Sequence, residues 1–150
     1  MIAYLLALLI GIVAGLRAFT APTAISWAAH LGWLRLDDTW LAFLGYAWTP
    51  WILTLLATGE LVTDQLPSTP SRTVPVQFGA RIAMGALSGA AFGSRLFGAV
   101  AGIVGAVIGT LGGRTARARL GAVFDRDPPA ALIEDAVAIL AALLIVTVIP

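Results

Sequence analysis

Long hydrophobic runs, separated by short breaks of glycine, proline, arginine and aspartate, fill this chain. A helix needs about 20 mostly apolar residues to cross a bilayer. The first run extends from Ile2 to about Phe19. A short amphipathic or re-entrant piece, Ala21 to Leu34, follows, and Arg35, Asp37 and Asp38 mark a polar turn. The second run starts near Trp40 and reaches Asp64, with Pro50 as a kink or an entry point. The third covers Val76 to Gly93, the fourth Leu96 to Leu111 and the fifth Pro129 to Val148. The pattern predicts an all-α, polytopic membrane helix bundle of about five transmembrane helices, one integral membrane domain over residues 1–150. The Ser94–Arg95 junction and the Ala21–Leu34 piece can each change that count by one. Trp33, Trp40, Trp48 and Trp51 gather around the start of the second run, as aromatic residues do at a membrane surface.

Composition narrows the class. Hydrophobic residues make up 59% of the chain and charged residues 11%, with a mean hydropathy of +0.94. Soluble domains carry about 25% charged residues, so this inventory does not build a water-facing surface. Every basic residue is arginine, and the net charge of +1 gives no footprint for nucleic acid. Cysteine is absent and His30 is the single histidine, which excludes a thiol nucleophile and a histidine metal cluster. His30, beside Trp33, reads as interfacial rather than catalytic. With neither a histidine–carboxylate pair nor a multi-aspartate motif, the chain is not expected to be an enzyme or to hold a metal or cofactor.

Arginine placement sets the expected orientation. Arg72, Arg81, Arg114, Arg117, Arg119 and Arg126 fall on one side of the five runs, and Arg17, Arg35 and Arg95 on the other. The positive-inside rule then predicts a cytoplasmic N-terminus and an external C-terminus. The first run lacks a basic leading region, so it reads as a retained membrane helix rather than a cleaved signal.

Glycine adds helix contacts to this picture. Gly85, Gly89 and Gly93 recur every fourth residue, as do Gly105, Gly109 and Gly113, with Gly98 and Gly102 and Gly11 and Gly15 as further pairs. That spacing puts each set on one helix face, where backbones can approach closely. The faces read either as a mobile or homo-oligomeric interface or as tight packing within one chain. The chain also reads as a weak inverted repeat: Gly15-Leu-Arg17 and Gly112-Gly-Arg114 end corresponding runs, and Glu60 and Asp64 correspond to Glu134 and Asp135. Short glycine-biased matches of this kind also arise by chance.

Candidate chemistry concentrates between Glu60 and Pro75, where two carboxylates, an arginine, three prolines and several hydroxyls interrupt the apolar runs. Ionisable groups in a membrane segment cost several kcal/mol unless partnered. Glu60 and Asp64 share a helix face, an arrangement suited to proton coupling or cation coordination. Beyond Pro67 the chain stays extended, and Ser68, Thr69, Ser71 and Thr73 keep their hydroxyls free. Arg72 offers a planar fork for a carboxylate or phosphate, and Arg81 lies a turn or two into the next run. Arg17, followed by Thr20, is either an opposing positive charge or a snorkelling interfacial arginine. The candidate binding residues are therefore Glu60, Asp64, Arg72, Thr73, Arg81 and Arg17. The bland alternative pairs Glu60 or Asp64 with Arg72 or Arg81 merely to fasten the loop. Glu134 and Asp135, following Pro128-Pro129, read as helix N-terminal acids favoured by the dipole. Arg114, Arg117, Arg119 and Arg126 with Asp125 and Asp127 read as a cytoplasmic loop that meets lipid headgroups.

Several segments carry a resemblance. Gly15-Leu-Arg17-Ala-Phe-Thr20-Ala-Pro22, paired with Gly59-Glu60-Leu-Val-Thr-Asp64-Gln-Leu-Pro67-Ser-Thr-Pro70-Ser-Arg72-Thr73, then Arg81 and the Gly85-Ala-Leu-Ser-Gly89 run, resembles the bacterial membrane proteins catalogued as domain of unknown function 4126. Gln65 departs from the lysine expected there in many members. The resemblance implies the membrane class, the bacterial inner membrane and the place of the site, and it implies no activity. The function expected is a small transporter or channel-like permease. Glu60 and Asp64 would couple protons or cations, while Arg72, Arg81 and Arg17 attract an anionic group. The alternative is a non-transporting membrane scaffold, lipid-binding or accessory subunit. Expected partners are membrane lipids and a second copy of the chain or other membrane subunits, not nucleic acid.

Overall fold

The computed structural model describes residues 1–149. Among them six α-helices and no strand occur: α1 (Ile2–Leu16), α2 (Thr20–His30), α3 (Thr49–Thr63), α4 (Pro75–Gly89), α5 (Arg95–Phe124) and α6 (Asp127–Thr147). A single 3-10 turn, Ala42–Gly45, interrupts the long connection between α2 and α3. Proline starts three of the helices, at or next to the first position of α3, α4 and α6, where its missing N–H has no helical partner to lose. Arg17 leaves α1 in extended backbone (φ −140°, ψ 113°), and Asp125 ends α5 in the left-handed region (φ 53°).

The all-α class is as expected, and the count of about five spans is corrected. Among the described residues only α5 and α6 are long and apolar enough to cross a membrane, by length and composition. Helices α1, α3 and α4 have 15 residues each, about 22 Å at 1.5 Å per residue, short of a hydrocarbon layer of about 30 Å. The run from Trp40 to Asp64 is not one helix, because residues 40–48 fold into turns and Pro50 begins α3 instead of kinking it. The Ala21–Leu34 piece contains the packed helix α2, with Ala21, Pro22, Ile25, Ser26 and Ala28 buried. The segment read as a loop through Arg114, Arg117 and Arg119 is helical, a continuation of α5 as far as Phe124.

Helix α5 lies between α1 and α4, held there by glycine. A Cβ on Gly15 would meet Gly109 Cα at 2.7 Å, and one on Gly89 would meet Gly102 Cα at 2.8 Å. At Gly85 the corresponding distance to the Gly102 carbonyl oxygen is 2.7 Å. Real Cβ atoms do not come so close, so these helices meet backbone to backbone. The glycine faces of α1, α4 and α5 are thus occupied within one chain.

Apolar residues fill the core, but charged groups are buried alongside them and large apolar side chains also cover the outside. Arg17, Arg81, Glu134 and Asp135 are buried, while Leu55, Leu132, Leu140, Leu144, Val104 and Ile108 are exposed. The end of α1 meets the start of α6, since Arg17 bonds Asp135. These two helices therefore run antiparallel, and residues 2 and 147 lie at the same end of the bundle. This corrects the expectation that the two ends fall on opposite sides. It arises because α2 and the chain after it return from the Arg17 end before α3 comes back to it.

Candidate functional site

Five helices bring charged groups to one end of the bundle. Arg17, at the end of α1, is 0% exposed and sits among three carboxylates. Its Nε donates to Asp135 Oδ1 at 2.6 Å, one terminal nitrogen bonds Asp64, and the other lies against Asp135 and 3.6 Å from Glu134. Gln65 donates to the second Asp135 oxygen at 3.1 Å. Arg72, from the loop between α3 and α4, grips Glu134 with both terminal nitrogens, the second at 2.8 Å. Gly113 makes room for that pair, since a Cβ there would lie 3.0 Å from both Arg72 and Glu134. Bidentate pairing of this kind is stronger and more directional than a single bond.

Two further members clamp the corner between α1 and α2. Arg81 is 1% exposed and donates to the carbonyl oxygens of Gly15 at 2.8 Å and Leu16 at 2.6 Å, acceptors that the end of α1 leaves free. Its other terminal nitrogen lies 3.8 Å from Glu60 and 3.9 Å from Asp64. Glu60 accepts from the amides of Ala18 (2.7 Å) and Phe19 (2.9 Å), just ahead of α2, where the helix dipole favours a negative charge. A guanidinium on the carbonyl side and a carboxylate on the amide side fix this corner. Outside the apolar part of α5, Arg117 donates to both oxygens of Asp127 and lies 3.6 Å from Glu134.

Five of the six residues singled out from the sequence converge here, with altered pairings. Arg72 reaches Glu134 on α6 and not Glu60 or Asp64. Arg17 is not on the side opposite Arg72 and Arg81 but in their midst. Thr73 stands apart: its hydroxyl pairs with Ser71 at 3.0 Å on an exposed part of the loop. Glu134 and Asp135, which from the sequence read as helix-start acids, are the main partners of Arg72 and Arg17. The usable signal was a pair of adjacent acids inside an apolar run, which demands buried counter-charges. Arg114, which the inverted repeat would match to Arg17, is exposed and forms no ion pair among the described residues, so the two halves do not carry equivalent sites.

A cavity of about 580 Å³ opens beside the cluster, lined by Asp64, Arg72, Arg81, Arg114, Arg117 and Asp127 among others. Glu60 does not line it, whereas Asp64 faces both the cavity and Arg17. A second hollow of about 430 Å³, between α2, α3 and α6, is mostly apolar, with Trp27 Nε1 donating to Thr54 Oγ1 at 3.0 Å on its wall. Among the described residues no group of three His, Asp or Glu side chains is placed to hold a metal ion. No family model matches the chain, and comparison with curated proteins and with solved structures finds no match either.

Proposed function

We propose that this protein resides in the bacterial inner membrane as a multi-pass helical bundle and acts as a small permease for a solute or ion. The exposed apolar faces support residence in lipid: contiguous exposed apolar patches beyond a few hundred Å² are rare on soluble monomers, and here the faces of α5 and α6 are lined by Val100, Val104, Ile108, Leu111, Leu140 and Leu144. In this reading α5 and α6 cross the layer and the shorter helices lie alongside them. Arg17, Arg72, Arg81 and Arg117 share one end of the bundle, which the positive-inside rule puts in the cytoplasm. Residues 2 and 147 then face outward. The chain has no cysteine, so orientation is readable on a clean background. An impermeant maleimide added to spheroplasts should label Asp38→Cys and leave Ser68→Cys unlabelled until the membrane is opened. Equal labelling of both would overturn the membrane reading.

The observation that carries the permease reading is the cavity that reaches buried ion pairs. Asp64, Arg72, Arg81 and Arg117 each line it while holding a charged partner within the cluster. A solute entering that cavity competes for those partners, so the ion pairs form a closed gate. Purified protein in proteoliposomes is expected to pass a small solute or ion, and Asp64→Asn to reduce the flux to that of empty liposomes while the variant stays folded and monodisperse. Background flux from the unaltered protein with every charged solute tried sinks the permease reading.

A second reading has its own observation. Each of Glu60, Asp64, Asp127, Glu134 and Asp135 lies within ion-pair distance of Arg17, Arg72, Arg81 or Arg117, so every carboxylate of the cluster is partnered. A fully paired cluster also suits a non-transporting scaffold whose ion pairs fasten the helices. In that case Asp64→Asn lowers thermal stability and there is no flux to lose.

A further inference from the structure

The pairings leave one kind of group over in the cavity. Its two carboxylates are engaged, Asp64 with Arg17 and Asp127 with Arg117. Its guanidinium groups are not all spent. Arg114 is exposed and in no ion pair or hydrogen bond among the described residues. Arg81 Nε is buried without a hydrogen-bond partner, although the residue is only 1% exposed. A buried donor left unpaired is costly, and Arg81 is one of the residues that line the cavity. Of the charged side chains that line it, Arg72 is matched by Glu134, Arg81 by Glu60, Arg117 by Asp127 and Asp64 by Arg17, which leaves Arg114 as the unmatched charge. The one unpaired charge in the cavity is therefore a donor.

From this we infer that the cavity binds a phosphate-type oxyanion, with Arg114 as the capturing residue at its exposed side and Arg81 as the donor at its buried floor. The inference rests on the reading of the cavity as the entrance to the gate and gives that site a ligand class. Planar guanidinium forks match the paired oxygens of a phosphate or carboxylate better than they match a halide. A cation finds no unshared carboxylate there. The same chemistry is presented by a free phosphate or phosphate monoester and by the phosphodiester headgroup of an anionic lipid at the membrane surface.

The experiment uses the whole protein in maltoside detergent micelles, which contribute no phosphate. Thermal unfolding is followed with increasing inorganic phosphate against sodium chloride of equal ionic strength, and separately with phosphatidylglycerol against phosphatidylcholine. A ligand that binds only the folded state raises the midpoint with its concentration. A rise with inorganic phosphate identifies a soluble ligand, and a rise with phosphatidylglycerol alone identifies a headgroup; both support the inference. Arg114→Gln should remove the rise while leaving the midpoint in chloride within about 1 °C of the unaltered protein, as for an exposed side chain without partners. Arg119→Gln, which changes the same charge outside the cavity, should keep it. No rise with either probe, or a rise that survives Arg114→Gln, overturns the inference. Failure here is separable from failure of the permease reading: cation flux without oxyanion binding sinks only the ligand class, and oxyanion binding without flux sinks only the permease.

Discussion

Replacing Gly102 with leucine is expected to prevent stable assembly of the bundle, and even alanine at this position should destabilise it by about 1–3 kcal/mol, the range for forcing extra atoms into a packed interior. The cause is position. A Cβ on Gly102 would lie 2.9 Å from the Gly85 carbonyl carbon and 3.0 Å from Gly89 Cα, and the Gly102 carbonyl group blocks a Cβ on Gly11 from the other side. Helix α5 therefore cannot slide from α4 without pressing on α1. In an open helix the same change from glycine to alanine would gain up to about 1 kcal/mol from helix propensity, so the expected loss reverses the usual sign. Gly112 supplies the control in the same helix. A Cβ there meets nothing within 4 Å, and Gly112→Ala should be neutral or stabilising by about 0.4–1 kcal/mol. Circular dichroism melts of the three variants in one detergent check the comparison. Equal midpoints for Gly102→Ala and Gly112→Ala would mean that α1, α4 and α5 do not meet backbone to backbone.

The contrast between those glycines shows what the sequence could convey. Spacing of four residues is a local property, and it correctly put Gly85 and Gly89, Gly98 and Gly102, and Gly11 and Gly15 on contact faces. It could not show that these faces answer one another within the chain, because partner choice depends on tertiary geometry. Run length was less reliable. From Trp40 to Asp64 the residues are apolar almost throughout, yet residues 40–48 turn back on themselves before Pro50 opens α3. Hydropathy averages do not register such breaks, so three helices of 15 residues were read as full spans. The side assigned to Arg17 followed from that count and failed with it.

The site was legible in content and illegible in pairing. Buried charge in an apolar chain flagged Glu60, Asp64, Arg72, Arg81 and Arg17, since such groups survive only with partners. Which partner each takes is a long-range matter. Arg17 finds Asp135, which lies 118 residues away, and Arg72 finds Glu134 at a separation of 62. Nearness in sequence favoured Glu60 and Asp64 for Arg72, and the fold overrode it by bringing the start of α6 to the end of α1. Glu134 and Asp135 read as dipole-favoured acids because the helix dipole already accounts for acids near a helix start. That explanation is adequate for an exposed acid and inadequate for two acids that are 7% and 8% exposed. Thr73 erred in the other direction, its hydroxyl being satisfied by Ser71 on the exposed loop.

Arg17 is where the largest single loss from a charge change is expected. Its guanidinium is the shared counter-charge of Asp64 and Asp135 and lies 3.6 Å from Glu134, so it ties α1, α3 and α6 together at one point. Removing one partner from a buried ion pair leaves uncompensated charge and costs about 3–5 kcal/mol. Against a total stability of about 5–15 kcal/mol, Arg17→Gln should lower the unfolding midpoint steeply and leave little folded protein at growth temperature. Arg17→Lys keeps the charge but offers a compact ammonium in place of a planar fork, and one ammonium cannot reproduce the contacts that three guanidinium nitrogens make with Asp64 and Asp135. It should fall between the two. Pairing Arg17→Gln with Asp135→Asn removes one of the orphaned charges as well, so the double variant should recover part of the loss. That recovery separates charge compensation from packing, because Asp135→Asn changes shape very little. If the double variant is as unstable as the sum of the singles, the loss comes from the missing side-chain volume at the α1 corner. If Arg17→Gln alone melts with the unaltered protein, Arg17 is not the buried counter-charge of α3 and α6.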